Sequence, residues 1–181
     1  MEVRNENKEI AVFGGGCFWC TEAVFTSLKG VSSVVPGYMG GKSENPSYEE
    51  VAAGNGHIEV IRLEFDLSVI PFDDLLNVFF HTHDPTTRNK QGNDVGPQYR
   101  SVIFYLNEEQ KSKATKFIDE LNASHAYADP VVTELRPMLA FFEAEDYHKE
   151  FYERHKDEPY CQIIIAPKLE KLQERFKELI K

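Results

Sequence analysis

Two cysteines stand at CxxC spacing beside two large aromatic side chains, and this group has the strongest potential for chemistry in the sequence. In FGGGCFWC, three glycines lead into Cys17, Phe18 and Trp19 follow, and Cys20 closes the motif. A thiolate is a good nucleophile, and an apolar wall beside it suits a substrate that carries a small apolar group such as a methyl. Adjacent helical residues point in different directions, so one of the two aromatic rings is expected to pack in the core. The motif predicts a nucleophilic thiol beside an apolar pocket.

The residues around the motif predict a strand that passes directly into a helix. The strand spans 9–13 and stops at glycine, and the helix spans 21–30, with Gly30 as its C-cap. Cys17 then lies at or near the helix N-terminus, where unpaired amides and the helix dipole favour a thiolate. The glycines permit the tight turn and let a ligand approach the backbone.

Three other roles for the motif are weaker. A phosphate-binding loop needs Lys and then Ser or Thr after its last glycine, and Phe18 and Trp19 stand there instead. Structural zinc needs four ligands, and Cys161 is the one sulfur that remains beyond Cys17 and Cys20, so no metal is expected. An inert core thiol is common in proteins, but the glycines and the aromatic pair argue against it.

The rest of the chain predicts one domain of mixed strands and helices. The predicted elements are strands over 58–65, 101–106 and 131–135, with helices from near Pro71, after Asn107, over 143–155 and over 167–180. Two polar stretches, 36–57 and 81–100, have no helical or strand period and are expected to be loops that hold site residues. Strands and helices mix without strict alternation, which favours a single α+β domain over 1–181.

Composition and charge exclude several classes of function. With 30 acidic and 20 basic residues the chain has a net charge of −10, so it would repel nucleic acid. No apolar run approaches the roughly 20 residues that cross a bilayer, and the N-terminus has no apolar signal core. We therefore expect a cytoplasmic protein with no membrane partner, whose three cysteines serve redox or catalytic chemistry. Nothing argues for oligomerisation, so a monomer is expected.

Several motifs, in the same order along the chain, resemble the A class of the peptide methionine sulfoxide reductase family. They are GCFWC, GGK with NPSYEEV, GHIE, QGNDVGPQYRS and PYCQ. The resemblance implies a two-layer α+β sandwich with a mixed, largely antiparallel sheet, helices packed on it and a ferredoxin-like core. It also implies reduction of the S epimer of methionine sulfoxide, free or in proteins, without metal or organic cofactor. Electrons would come from a thioredoxin-type dithiol or dithiothreitol.

The resemblance assigns roles that the chemistry makes intelligible. A sulfoxide sulfur is a poor electrophile until its oxygen is protonated or strongly hydrogen-bonded, so the reaction needs a nucleophile and an acid. Cys17 matches the nucleophile, and Glu59 matches the acid, since a carboxyl group near apolar walls can keep its proton near neutral pH. The other matches are two phenols that hydrogen-bond the oxygen, a carboxylate that organises the site and a methyl pocket: Tyr48, Tyr99, Asp94, Phe18 and Trp19.

Two cysteines are candidates to resolve the sulfenic acid that attack would leave on Cys17. A second thiol condenses with it to a disulfide, which a thioredoxin-type dithiol reopens. Cys161 matches the family's C-terminal resolving cysteine, and Cys20 lies within one helical turn of Cys17. We predict that Cys161 attacks first, and that Cys20 then takes over the disulfide or resolves directly. Two other functions remain open: a thiol–disulfide oxidoreductase that uses Cys17 and Cys20, and a non-catalytic redox-sensing module.

Overall fold

The chain was analysed in a computed structural model that describes residues 6–181, so the first five residues of the predicted domain lie outside the described part. The strands are β1 Lys8–Gly15, β2 Val31–Met39, β3 Ile58–Asp66, β4 Lys90–Gln91, β5 Asp94–Val95, β6 Ser101–Tyr105, β7 Glu134–Pro137 and β8 Phe142–Glu143. The helices are α1 Phe18–Thr26, α2 Tyr48–Ala52, α3 Phe72–Thr82, α4 Glu108–Ala123, α5 Phe151–Arg154 and α6 Ala166–Arg175.

Six of these strands form one sheet in the order β7-β6-β1-β3-β2-β8, and β4 pairs with β5 in a separate hairpin. Neighbouring strands of the main sheet run antiparallel, except that β6 and β7 are parallel. The chain order β1-α1-β2-β3-α3-β6, with central strands ordered β6-β1-β3-β2, is the ferredoxin-like arrangement. The predicted mixed, largely antiparallel sheet with a ferredoxin-like core is confirmed.

The alternation of side chains along β1 divides the interior into two apolar clusters. Ala11 and Phe13 join the larger cluster, in which side chains of α1, α3, α4 and α6 pack on the sheet. Val12 points to the opposite face and joins a smaller cluster that Met138 and Phe141 cover. The helices therefore form one layer on one face of the sheet, which is the predicted two-layer α+β sandwich.

Several helices and strands begin or end at residues other than those predicted from the sequence. The first helix ends at Thr26 with Ser27 as its C-cap, so the prediction of Gly30 as C-cap is wrong; Gly30, at φ +85°, lies in the turn before β2. The predicted strand over 131–135 begins only at Glu134, because the amides of residues 131 and 132 bond to the Asn122 side chain and to a loop carbonyl.

The predicted continuous helix over 143–155 is also wrong. Residues of this stretch form strand β8, a 3₁₀ turn over Asp146–His148 and the four-residue helix α5. Glu150 lies between the turn and α5 with φ +53°, a left-handed conformation that interrupts a right-handed helix. The break separates His148 from Phe151, and both side chains then reach Trp19.

The two predicted loops contain more structure than the sequence indicated. The stretch 36–57 begins as the end of β2 and includes the short helix α2, and the stretch 81–100 includes the β4–β5 hairpin and a 3₁₀ turn over Pro97–Tyr99. Both bring residues to the end of β1, where Cys17 lies. Within residues 6–181, no helix combines the length and the apolar character needed to cross a membrane.

Candidate active site

Cys17 lies where β1 ends and α1 begins, as the sequence predicted. It is the N-cap residue of α1, and its carbonyl accepts hydrogen bonds from the amides of Cys20 and Thr21 at 3.1 and 3.4 Å. Gly16, which precedes it, has φ +89°, and a Cβ there would lie 2.6 Å from the Gln91 side chain. Glycine is required at this turn because the backbone has a positive φ and because a side chain would collide with Gln91.

The Glu59 carboxyl group lies against the first turn of α1. It accepts a hydrogen bond from the backbone amide of Phe18 at 3.2 Å, which is the residue directly after Cys17. Its position on β3 brings it under the motif, because β1 pairs with β3. The side chain is 2 % exposed, and burial raises its pKa from 4.5 to about 8 against the smaller opposing effect of the Phe18 amide. Glu59 is therefore protonated near neutral pH and can act as an acid.

Two phenols lie beside this carboxyl group. Tyr48 is the first residue of α2, which Ser47 and Glu50 hold with a capping box, and Tyr99 ends the 3₁₀ turn. Each hydroxyl group lies close enough to the other to influence its pKa. Burial raises the pKa of both phenols, and the neighbouring Glu59 charge adds to the effect. Both therefore remain hydrogen-bond donors across the physiological range of pH.

Asp94 acts through a tyrosine that the sequence analysis did not assign. The Tyr160 hydroxyl donates to the Asp94 carboxylate at 2.7 Å and lies 3.6 Å from the Cys20 sulfur. Asp94 is also close enough to Glu59 for its charge to raise the pKa of that carboxyl group. The β4–β5 hairpin, which carries Asp94, therefore links the acid to the second thiol.

The thiols of Cys17 and Cys20 lie close enough for each to change the pKa of the other. Burial raises the pKa of Cys17 well above 9.0, with the Cys20 hydrogen bond and the Glu59 charge adding to it, while the Trp19 amide opposes them. The same sulfur–sulfur hydrogen bond lowers the pKa of Cys20 to about 7. The expectation that the helix N-terminus favours the thiolate at Cys17 is therefore wrong, because the effect of burial outweighs that of the backbone amides. The two thiols therefore titrate as a coupled pair, with the pKa of Cys17 raised and that of Cys20 lowered.

All three cysteine side chains gather in one apolar cluster. Cys17, Cys20 and Cys161 are 8 %, 3 % and 0 % exposed, and Ile165 packs with them. Cys161 opens a π-helical turn, Cys161–Ile165, that runs into α6. Burial raises its pKa, and the charge on Cys20 adds to this effect, so the Cys161 thiol is protonated and lies near Cys20.

The two aromatic residues of the motif differ in exposure. Phe18 is fully buried and packs against Tyr38 and His148, whereas Trp19 is only half-buried. The Trp19 ring stacks on Phe151 at 3.7 Å with an interplanar angle of 4°, and its indole N–H donates to His148 Nδ1 at 3.0 Å. The Phe18 ring thus packs in the core, as predicted. The orientation of the Trp19 ring is fixed by the stack on Phe151 and by the hydrogen bond to His148.

His148, Phe151 and Tyr160 belong to this site, and sequence reasoning missed them. His148 is 1 % exposed and contacts the rings of Phe18, Trp19 and Tyr48. The expectation of one helix over 143–155 concealed the separate placement of His148 and Phe151. For Tyr160, its place directly before Cys161 was the available signal.

Cys17 lies near a protonated carboxyl group, two neutral phenols and two further thiols. Cys17 and Cys20 open into a cleft of about 400 Å³ whose walls include Asp94, Tyr160 and Lys168. Within residues 6–181, no group of three or more His, Cys, Asp and Glu side chains is suitably placed to hold a metal ion. The chemistry of these residues is that of thiol attack on a group whose oxygen is hydrogen-bonded.

Comparison with known proteins identifies the family. A family model described as peptide methionine sulfoxide reductase matches residues 9–180. The chain belongs to the peptide methionine sulfoxide reductase family. A peptide methionine sulfoxide reductase MsrA from Sulfolobus acidocaldarius is 56% identical over 169 residues, which cover 93% of this chain and 95% of the relative. The chain is therefore an oxidoreductase of this family, and its chemistry is the reduction of methionine sulfoxide.

Two solved structures of yeast Mxr1 share the fold of this family member. The reduced form of Mxr1 from Saccharomyces cerevisiae superimposes with a TM-score of 0.78 at 28% identity, over 86% of this chain and 90% of Mxr1. Mxr1 in complex with Trx2 superimposes with a TM-score of 0.56 at 18% identity, over 83% and 89% of the two chains. The fold expected from the motifs is confirmed.

Proposed function

We propose that the chain reduces the S epimer of methionine sulfoxide, free or in proteins, through a sulfenic acid on Cys17. The observation that carries the proposal is the contact between the motif and the acid: the Phe18 amide bonds Glu59, whose pKa is raised to about 8. A nucleophilic thiol and a protonated carboxyl group then face the same substrate.

In the proposed first step the sulfoxide oxygen lies between Glu59, Tyr48 and Tyr99, and the methyl group lies against Trp19. The Cys17 sulfur attacks the sulfoxide sulfur while Glu59 donates a proton to the oxygen. Cys20, whose pKa is lowered to about 7, takes the Cys17 proton and then passes it to the Glu59 carboxylate, so that Cys20 becomes a thiolate again. The sulfur–sulfur bond formed by this attack and the original sulfur–oxygen bond then break as the oxygen passes to Cys17. Cys17 becomes a sulfenic acid, oxidised by two electrons, and the sulfoxide is released as methionine.

For the resolving step the structure supports Cys20, and not the expected Cys161, as the first thiol to attack the sulfenic acid. Cys20 lies within one helical turn of Cys17 and its pKa is lowered to about 7, whereas burial raises the pKa of the Cys161 thiol and keeps it protonated. Since the thiolate is the attacking form, Cys20 condenses with the Cys17 sulfenic acid, forming a disulfide and releasing water. Cys161, which lies near Cys20, then exchanges into that disulfide and releases Cys17.

Disulfide mapping after one turnover distinguishes the two orders. Reduced Cys161→Ser is mixed with one equivalent of substrate, quenched by alkylation and analysed by mass spectrometry, with the parent protein as control. A Cys17–Cys20 disulfide formed at the parental rate supports Cys20 as the first resolving thiol. A sulfenic acid that persists in Cys161→Ser would contradict this and restore Cys161 as the first resolving thiol.

A thioredoxin-type dithiol is the proposed source of electrons. The solved complex of Mxr1 with Trx2, a structure that shares this fold, supports a disulfide partner of this kind. All three cysteines are free thiols, which fits the reducing cytoplasm that we propose as the protein's location. We propose a monomer that needs no metal or organic cofactor for this cycle.

The experiment that tests the function follows the two epimers separately. The protein is incubated with dithiothreitol and racemic N-acetyl methionine sulfoxide, and each epimer is quantified by chiral chromatography. We expect the S epimer alone to disappear, Cys17→Ser to abolish its loss, and Glu59→Gln to slow it severely. Loss of both epimers at equal rates would contradict the stereochemical proposal. Reduction of insulin disulfides without sulfoxide turnover would instead favour a thiol–disulfide oxidoreductase, and no turnover at all would favour a redox sensor.

A further inference from the structure

A second cleft adjoins the one that holds the cysteines. It has a volume of about 500 Å³ and extends to Tyr127 and Asp129 beyond the end of α3. Gln91, Lys168 and Lys171 line both this cleft and the cysteine cleft of about 400 Å³. Because these three residues line both clefts, the clefts are neighbours. Together they are here called the lysine trough, which has Cys17 in one cleft and Tyr127 in the other.

The junction of the lysine trough, where Gln91, Lys168 and Lys171 line both clefts, carries two positive charges, although the net charge of the protein is −10. Lys168 and Lys171 are spaced three residues apart on α6, so they lie on one face of the helix. Neither ammonium group lies within 4.0 Å of a carboxylate in any ion pair formed among residues 6–181. Other lysines of the chain, such as Lys113 and Lys149, each pair with two carboxylates.

The positive charge of Lys168 also affects a reactive sulfur. Lys168 lies close enough to Cys20 for its charge to contribute to the lowered pKa of that thiol. Asp84 and Asp129 line the far cleft and Asp94 lines the cysteine cleft, so the positive charge is confined to the part of the trough where Lys168 and Lys171 lie. A ligand carboxylate at that junction would meet two unpaired ammonium groups.

We propose that the lysine trough binds the polypeptide that flanks an oxidised methionine, and that Lys168 and Lys171 select flanks with an acidic side chain. The inference rests on the proposed function, in which the sulfoxide itself occupies the pocket of Trp19, Tyr48 and Glu59. Free methionine sulfoxide has no flank to fill the trough. A peptide chain is long enough to occupy the trough. When it carries Asp or Glu, its negative charge also complements the two lysines.

The size of the expected preference follows from the exposure of the two groups. Lys171 is exposed and Lys168 half-buried, and partly exposed ion pairs change an equilibrium by about two- to fivefold each. A glutamate at the favoured position is therefore expected to raise kcat/KM by about two- to fivefold over glutamine, and lysine there to lower it. Because exposed charges are screened, the preference should shrink at about 1 M salt.

The test uses peptides with one S-methionine sulfoxide and Glu, Gln or Lys at each of the four positions on either side. Dithiothreitol supplies the electrons, and kcat/KM is measured for each peptide with the parent protein, Lys171→Gln, Lys171→Glu and Lys168→Gln. The matched control is Lys116→Gln, which removes an exposed lysine of α4 whose own ion pair is long, at 3.9 Å. The quantity compared is the ratio of Glu to Lys peptide within each variant.

We expect the parent and the Lys116→Gln control to prefer glutamate at one flank. The ratio should fall in Lys171→Gln and Lys168→Gln and invert in Lys171→Glu. Equal kcat/KM for Glu and Lys peptides in the parent, or a ratio unchanged in all the trough variants, would overturn the proposal. It is also overturned if the variants affect only turnover driven by a thioredoxin, because the lysines would then bind the reductant. Absence of any N-acetyl methionine sulfoxide reduction would overturn the proposed function instead.

Discussion

Replacing Glu59 by glutamine should abolish the acid and at the same time stabilise the fold, by an amount that grows with pH. In the unfolded chain the carboxyl group ionises near 4.5, whereas in the fold burial holds its pKa at about 8. Between these values the folded protein keeps a proton that the unfolded chain releases. The free energy of unfolding therefore falls as pH rises through this interval. Glutamine has no proton to release, so this loss disappears in Glu59→Gln.

The magnitude follows from the two pKa values. At ~1.4 kcal/mol for each pH unit, the interval from 4.5 to about 8 corresponds to a penalty on the order of 5 kcal/mol once it is complete. At pH 7 roughly 3 kcal/mol of it applies. Glutamine can still accept the Phe18 amide hydrogen bond, but its own buried amide hydrogens cost ~1–3 kcal/mol at every pH. The difference between the two proteins is therefore judged by its change with pH.

Urea unfolding of the reduced proteins at pH 4.5, 7 and 8.5 measures this difference. We expect the unfolding free energy of Glu59→Gln, relative to the parent, to rise by several kcal/mol across the series, with unchanged m-values. The matched control is Glu64→Gln on the same strand. Glu64 is partly exposed and bonds to Lys8 and Ser32, which lower its pKa. The stability of Glu64→Gln relative to the parent should therefore change little over this range. A constant difference for Glu59→Gln would mean that Glu59 is already ionised at neutral pH, and would refute its role as acid.

Three further results are expected. The kcat/KM for N-acetyl methionine sulfoxide should rise towards pH 7, as the Cys17–Cys20 pair loses its first proton, and fall above about pH 8 as Glu59 ionises; a profile that keeps rising to pH 9.5 would contradict this. Phe151→Leu, which removes the stack on Trp19, should raise KM severalfold and shift the fluorescence of the chain's single tryptophan; an unchanged spectrum would show that the stack does not fix the ring. Tyr160→Phe removes the hydroxyl beside the Cys20 sulfur, so the midpoint of Cys20 alkylation against pH should rise, and an unchanged midpoint would exclude that contact.

The sequence predicted the framework well because its signals are local. Glycine before Cys17, β-branched strands and the Asn107 cap each act over a few residues, and the strand-to-helix turn at Cys17 is confirmed. The α+β class followed from the mixture of strands and helices, whereas the ferredoxin-like order came from the family resemblance. That order depends on long-range pairing, such as β1 with β3 and β6.

The details that failed depend on tertiary contacts. The stretch 143–155 has helix-forming residues, but burial of His148 against three aromatic rings, together with the left-handed Glu150, breaks it. The prediction that the helix N-terminus lowers the pKa of Cys17 failed for a similar reason. A helix N-terminus is visible in sequence, whereas the burial that outweighs it at Cys17, and the sulfur–sulfur hydrogen bond to Cys20, arise only from packing.

The most direct test is to trap the first product of oxygen transfer. The double variant Cys20→Ser, Cys161→Ser lacks both resolving thiols, so one equivalent of S-methionine sulfoxide in the presence of dimedone should yield one methionine and one dimedone adduct per chain, located on Cys17. Methionine formed without an adduct on Cys17, or an adduct on any other residue, would contradict attack by the Cys17 sulfur.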